Sequence, residues 1–316
     1  MSKIITFLRQ PIISIKRKRQ ECRQNYIENS LKPENFVRLS DKKAIKVRYY
    51  LNFGKYPDLK HPKTFNEKLQ WLKLYDRRPE YTKLVDKYEV KKYVANRIGE
   101  EYIIPTLGVW NNAEEIDFDS LPNQFVLKCT HDSESIVICK NKAEFDISVA
   151  KKKLTDCLKK SLFLWGREWP YKNVKPRIIA EEYLKNDNGT LLNDYKFFCF
   201  NGEVKTLLIV SERFEGGSKL DYFDLSGNHM PIKHTYPNAA TPPALPKHFE
   251  QMKKLAEILS VGYPHIRLDF YECNGKIYFG EMTFFTGSGF LPFTPESWDE
   301  TFGSWIQLPH KKTKSP

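Results

Sequence analysis

Apolar and polar positions alternate most clearly along residues 263–289, YPHIRLDFYECNGKIYFGEMTFFTGSG. The period of two predicts strands over 265–271 and 276–282, and Asn274-Gly275 between them is a strong hairpin signal. Asp269 and Glu281 interrupt these otherwise apolar strands, with Arg267 close by. An ionised carboxylate on such a strand is costly unless it is paired or binds a cation. Register decides whether the two acids meet. A two-residue loop sets Asp269 opposite Gly280 and turns Glu281 to the other face. A three-residue loop, Cys273-Asn274-Gly275 with the glycine as a bulge residue, puts Arg267, Asp269 and Glu281 on one face. The second arrangement is the expectation adopted, and it suggests an oxygen-ligand site for Mg²⁺. The plainer alternative is a hairpin whose acids pair with lysines at a sheet edge.

Upstream, a period near 3.6 predicts helices. Thr64-Phe65-Asn66-Glu67 has capping-box spacing, and the helix it opens carries Phe65, Leu69, Leu72 and Tyr75 on one face, stopping before Pro79. A second helix is expected over 81–97, ending at Gly99, with Lys87 on it. Residues 103–110 predict a strand, and FVLKCT-HDSES-IVICK predicts two more around a polar loop. An amphipathic helix follows over 147–163, then the strand PRIIAEEYL. The segments DYKFFCF-NG-EVKTLLIV and KLDYFDL-SGN-HMPI read as hairpins, and 247–259 as a helix. This order implies an α+β fold with antiparallel sheets rather than a doubly wound parallel one.

Composition narrows the class. The 316 residues are 41% hydrophobic, enough for a substantial core in two or three lobes, and no apolar run reaches the length of a membrane span. The six cysteines form no CxxC pair and suggest free thiols in a reducing cytosol. The net charge of +12 is concentrated: residues 1–60 hold 15 Lys+Arg against 5 Asp+Glu. The opening IITFLRQPIISIKRKRQ places seven Ile, Leu and Phe side chains before four basic residues, the reverse of a signal peptide. Two readings stand for it. Residues 1–20 anchor the protein on the cytoplasmic face of an anionic membrane, or they form a helix packed on the body. No nucleic-acid reader motif accompanies the basic residues, so nucleic acid is not an expected partner.

The strand–loop–strand around Lys128 has the geometry of a flexible phosphate-covering loop. A strand-end pair of acids, a lysine in the next hairpin and then a paired Asp and Glu complete an ordered set. In that order of parts the sequence resembles the ATP-grasp superfamily, specifically its TupA-like, teichuronopeptide-biosynthesis branch. The segments that carry the resemblance are PKTFNEKLQWLKLYDRRPEYTKLVDKYEVKKYV, LPNQFVLKCTHDS, IIAEEYL, NDYKFFCFNGEVK and RLDFYECNGKIYFGEMTF, covering roughly residues 40–305.

The resemblance implies two antiparallel lobes that clamp ATP and Mg²⁺. Its expected divisions are a basic helical segment (1–60), an N-terminal α/β region (61–122), a first lobe (123–186), a second lobe (187–309) and a tail (310–316). It implies that Lys87 and Lys128 contact phosphates, with His131, Ser133 and Ser135 in the covering loop. Glu181, Glu182, Tyr183 and Leu184 would be the hinge around adenine, Asp194 would meet the ribose, and Lys196 a phosphate. Asp269, Glu281 and Thr283 would hold the metal, Arg267 an oxyanion, and Gly287, Ser288 and Gly289 would flank the acceptor. Two departures stand out. The loop carries Asp132 and Glu134 where the family usually has glycine, and Thr283 replaces a common asparagine.

The activity implied is ATP-dependent ligation of an amine or amino acid to a uronic-acid carboxylate, in bacterial surface-polysaccharide assembly. A glycosyltransferase is a second reading, resting on the D-x-D pattern of Asp117-Phe118-Asp119. A catalytically weakened scaffold at the membrane is a third, resting on the acidic loop. On the first reading, an acid left unpaired on its strand would be a burden, and removing Asp269 or Glu281 would stabilise the ligand-free protein.

Overall fold

The computed structural model describes residue 29 and residues 33–133, 135–213 and 217–310. The proposed membrane-anchoring residues 1–20, Cys22, Glu134 and the last six residues lie outside the described ones. Among the described residues ten strands make two antiparallel sheets, so the α+β expectation holds. The smaller sheet has the order β1-β4-β2-β3, from Thr106–Trp110, Ile178–Glu182, Phe125–Cys129 and Val137–Cys139. The larger runs β10-β9-β5-β6-β7-β8, from Lys276–Thr283, His265–Cys273, Asp194–Phe200, Glu203–Ser211, Lys219–Phe223 and His229–Met230.

Eight helices surround the sheets among the described residues: α1 (Asp41–Phe53), α2 (Phe65–Tyr75), α3 (Glu80–Val85), α4 (Glu89–Ile98), α5 (Ile147–Leu158), α6 (Leu162–Gly166), α7 (Phe249–Ser260) and α8 (Ser297–Trp305). The capping box expected at Thr64 is present: its hydroxyl accepts from Glu67 N, and the Glu67 carboxylate accepts from Thr64 N. The single helix expected over 81–97 is two, α3 and α4. Asp86 breaks it by accepting from the amides of Tyr88 and Glu89 at 2.8 and 3.2 Å, as an N-cap does. Lys87 therefore sits in the break and not on a helix. The helix expected over 147–163 also divides, into α5 and α6, and α8 was not anticipated.

The large sheet has one face on the core and one on a cleft. Phe197 and Phe270 face α7, with Phe197 stacked on Phe249 at 5.9 Å. At the end of β9, His265 is buried among Phe65, Phe198 and Phe200, with Phe65 and Phe200 at ring distances of 4.9 and 4.7 Å. Its Nδ1 donates to Cys199 O at 3.0 Å, and burial lowers its pKa to about 3. An unfolded histidine takes its proton near pH 6.5. Between those values the unfolded state binds more protons, so stability rises with pH and is lost as pH falls below 6.5. The melting temperature is expected to drop between pH 6.5 and 4.5. His265→Asn, which keeps the donor to Cys199, is expected to flatten that slope while lowering stability at pH 7. An unchanged slope would show that His265 is not a source of the acid sensitivity.

Helices α2 and α8 meet at Gly303, where a Cβ would lie 2.2 Å from Lys63 O and 2.6 Å from the Thr64 carbonyl carbon. Backbone atoms cannot yield as a side chain can. Gly303→Ala is expected to cost about 1–3 kcal/mol, read as a lower midpoint in urea.

Candidate functional site

The two acids singled out in the β9–β10 hairpin do face the same way, but by a different device from the one expected. Asn274 and Gly275 form a two-residue turn, both with left-handed φ (50° and 74°), and Cys273 pairs directly with Lys276. The three-residue loop is therefore wrong. Register stays in step as far as Phe279 opposite Phe270, and then slips by one residue, so that Glu281 pairs with Asp269. The extra residue is Gly280, a β-bulge in the strand. A Cβ there would stand 3.1 Å from both Asp269 O and the Tyr271 ring, so a side chain at the bulge would require the partner strand to give by a few tenths of an ångström.

Arg267 ties this face together. Its Nε and one terminal nitrogen donate to the two Asp269 oxygens at 2.7 and 2.8 Å. The same terminal nitrogen reaches Glu281 Oε1 at 2.7 Å and Thr283 Oγ1 at 3.1 Å. The Lys196 ammonium also bonds Asp269 and stands 3.4 Å from Asp194, which in turn pairs with Arg213 at 2.7 Å. Asp269 is 2% exposed, and burial pushes its carboxyl pKa up against the pull of Arg267 and Lys196. The Glu281 side chain keeps 39% of its surface. Burial acts to raise its pKa too, but Arg267, Lys196 and Lys87 outweigh that and hold it well below the usual carboxylate range. Burial works against the Arg267 cation, and its two carboxylates more than offset the cost.

These side chains line a cleft of about 400 Å³ between the large sheet and the Lys128 strand with its loop. From the small-sheet side come Lys128 on β2, Ser133 and Ser135 in the loop after it, and Lys87 from the break between α3 and α4. The Lys87 ammonium donates to the backbone carbonyl of Asp132, and burial lowers its pKa. Lys128 pairs with Glu181, which also binds Lys91 at 2.6 Å. Burial would raise the Glu181 pKa, but the two lysines outweigh it and lower the value overall. Within the covering loop, the Ser135 hydroxyl bonds the Asp132 carboxylate and accepts from Cys129 N at 2.6 Å. Asp132 thus holds the loop in shape.

Of the residues singled out in the sequence, the cleft gathers Lys87, Lys128, Asp132, Ser133 and Ser135, together with Asp194, Lys196, Arg267, Asp269, Glu281 and Gly287. The others do not line it. His131 is buried. Glu181 is buried on β4, and Glu182 N is held by Pro105 O at 3.2 Å. Tyr183 and Leu184, just past β4, are half-buried, and Thr283 touches the cleft residues only through Arg267 and Glu281. Ser288 and Gly289 are buried behind Gly287. The Asp117 carboxylate accepts from the amides of Asp119 and Ser120, closing an exposed turn away from the cleft.

Sequence reasoning missed two groups. One is the cleft's less polar wall, including Leu208, Val210, Tyr222 and His234. Alternation in β6 and β7 marks this face, but not which strands it will meet. Burial lowers the His234 pKa to about 4, so its imidazole is neutral at pH 7.

The other group surrounds Lys73, which is fully buried and donates to Gln70 Oε1, Gly166 O and Ser288 O at 2.9, 2.7 and 2.6 Å. Glu168 accepts from Ser288 Oγ at 2.6 Å. Burial pushes the Lys73 pKa down and the Glu168 pKa up, each partly offset by the other's charge. The signal for Lys73 was its spacing, four residues after Leu69 on the core-facing stripe of α2.

Among known proteins, the model of the TupA-like ATP-grasp family matches residues 67–307. No curated protein matches the chain. Solved structures similar to it include D-alanine–D-alanine ligase from Bacillus anthracis complexed with ATP (17% identity, TM-score 0.36, 63% of this chain and 53% of that one). The Helicobacter pylori D-alanine–D-alanine ligase gives 14%, 0.40, 77% and 69%. The L-amino acid ligase from Bacillus licheniformis gives 12%, 0.44, 79% and 57%. The chain spans about half the length of the first of these, and no residue role is carried over at such identities. The family match covers most of the chain. With both sheets antiparallel and the cleft between them, the chain belongs to the TupA-like ATP-grasp family.

Proposed function

We propose that the chain is an ATP-dependent carboxylate–amine ligase that joins an amino acid or other amine to a uronic-acid-bearing surface glycan. The observation that carries this reading is the convergence of Lys87, Lys128, Lys196, Arg267, Asp269 and Glu281 on one cleft. ATP would supply the phosphoryl group that activates the carboxylate for attack by the amine. Mg²⁺ takes one or two carboxylates and completes its shell with phosphate oxygens and water. Asp269 and Glu281, adjacent in register and both lining the cleft, fit that pattern. No cluster of three or more His, Cys, Asp or Glu suited to a metal occurs among the described residues.

In this reading Lys87 and Lys128 hold phosphates from the small-sheet side, and Lys196 holds them from the large sheet. Arg267 is placed to stabilise the oxyanion that develops as the amine attacks. Such charge stabilisation in a site shielded from water contributes more than it would in water. Ser133 and backbone amides of the covering loop cap the phosphates, and Gly287 borders the acceptor.

MgATP is expected to raise the melting temperature of the wild type, and a UDP-sugar is not. Asp269→Asn and Glu281→Gln are each expected to abolish the MgATP shift. Asp269→Asn is also expected to lower stability by about 3 kcal/mol, because it leaves Arg267 and Lys196 beside a neutral amide. This reverses the expectation that its loss would stabilise, since the acid is fully paired. MgATP shifts as large as the wild type's in both variants would remove the site.

No helix among the described residues is long and apolar enough to cross a membrane. We assign residues 1–20 to reversible attachment at an anionic membrane surface, through their apolar cluster and Lys16, Arg17, Lys18 and Arg19. Anionic vesicles are expected to sediment the full chain at low salt, and much less of a chain lacking residues 1–20. Equal sedimentation of the two would refute the anchor.

A further inference from the structure

The Lys196 ammonium lies against two of the acids on this face of the cleft. It bonds Asp269 and lies 3.4 Å from Asp194, while Arg267 occupies both Asp269 oxygens and Glu281 Oε1. With Arg213 on Asp194, three acids face three bases among the described residues on this side of the cleft. A free divalent cation arriving here meets carboxylates that are already ion-paired, and must shed tightly held water to enter the site. Across the cleft, among the described residues, Lys87, Lys91 and Lys128 are set against the Glu181 and Asp132 carboxylates.

We infer that Lys196 is a specificity-determining residue that bars free divalent cations from Asp269 and Glu281 and admits them only as a phosphate complex. Phosphate oxygens offer the Lys196 ammonium a replacement for Asp269, and Asp269 Oδ2, then shared with Arg267 alone, has a lone pair for the cation that came with them. Lys196 thus changes partner while the charge of the site stays balanced. A short swing suffices, because Lys196 and Asp269 are paired neighbours on β5 and β9. The inference deepens the ligase reading and rests on it for the identity of the phosphate compound.

The test is Mn²⁺ binding to the nucleotide-free protein, followed by isothermal titration calorimetry and by the electron paramagnetic resonance signal of free Mn²⁺. The wild type is expected to bind Mn²⁺ weakly. Lys196→Met is expected to bind it at least tenfold more tightly, and Lys196→Met combined with Asp269→Asn is expected to lose that gain. Lys196→Gln, which keeps a polar side chain of similar reach, is expected to move in the same direction and decides the matter if the methionine variant does not fold. Mn²⁺ affinity in the lysine variants no higher than in the wild type overturns the inference, as does a gain that survives loss of Asp269. Whether the wild type binds MgATP is measured separately and bears on the ligase reading alone.

Discussion

The arrangement of the cleft depends on the Arg267 guanidinium holding two carboxylates that the pleat of a regular hairpin would send to opposite faces. Side chains alternate along a strand, so Asp269 and Glu281 share a face only because Gly280 adds one residue between the paired positions. Once they do, two negative charges lie side by side in a poorly solvated place, which is tenable only with cations close by. Arg267 bridges both, and its planar fork suits a carboxylate in a way that a lysine does not. Lys196 and Arg213 then follow as the partners of Asp269 and Asp194.

The same constraint explains why Lys87 and Lys128 are arranged differently from Lys196. Neither touches the metal-side carboxylates directly. Lys128 is held by an acid on the neighbouring strand of its own sheet, and Lys87 by a backbone carbonyl. A carbonyl compensates an ammonium less fully than a carboxylate does, and Lys87 accordingly has its pKa lowered by burial. Its position is set by Asp86, whose carboxylate caps α4 and pairs with Arg177 at 2.8 Å. A local competition between helix continuation and side-chain capping thus puts a charged residue in the cleft.

Much of this was legible in the sequence because it rests on local rules. Both Asn-Gly turns, at 201–202 and 274–275, close two-residue hairpins where alternation and turn chemistry agree. The capping box at Thr64 was visible for the same reason. The bulge was signalled by a glycine inside a strand, yet a three-residue loop would also bring the acids together, and only the pairing distinguishes the two. Asp86 looked like one more polar residue in a helical stretch, because the contacts that make it a cap are formed only when the helix stops. Which residues would fill the rest of the cleft could not be read, since β6 and β7 reveal their faces but not their partners.

The turn at Gly287–Gly289 shows how far from the cleft its shape is determined. Gly287, Ser288 and Gly289 all have left-handed φ, at 54°, 55° and 60°. Glycine tolerates this, but a serine there carries strain of about 1–3 kcal/mol unless its surroundings impose it. Here they do. Gln70 donates to the carbonyls of both Ser288 and Gly289, Lys73 donates to Ser288 O, and the Ser288 hydroxyl donates to Glu168. A Cβ on Gly289 would lie 2.5 Å from Gln70 Nε2 and 2.9 Å from Leu69 Cβ, so the turn is seated directly on α2. Burying an ammonium to hold three carbonyl-type oxygens is a costly way to fix a turn if only packing is at stake, because an apolar side chain would serve at less cost. What the charge adds is direction: it fixes Ser288 O, and with it the outward placing of Gly287 at the edge of the cleft. The buried Lys73 network belongs with the cleft residues on that ground, although none of its members lines the cleft.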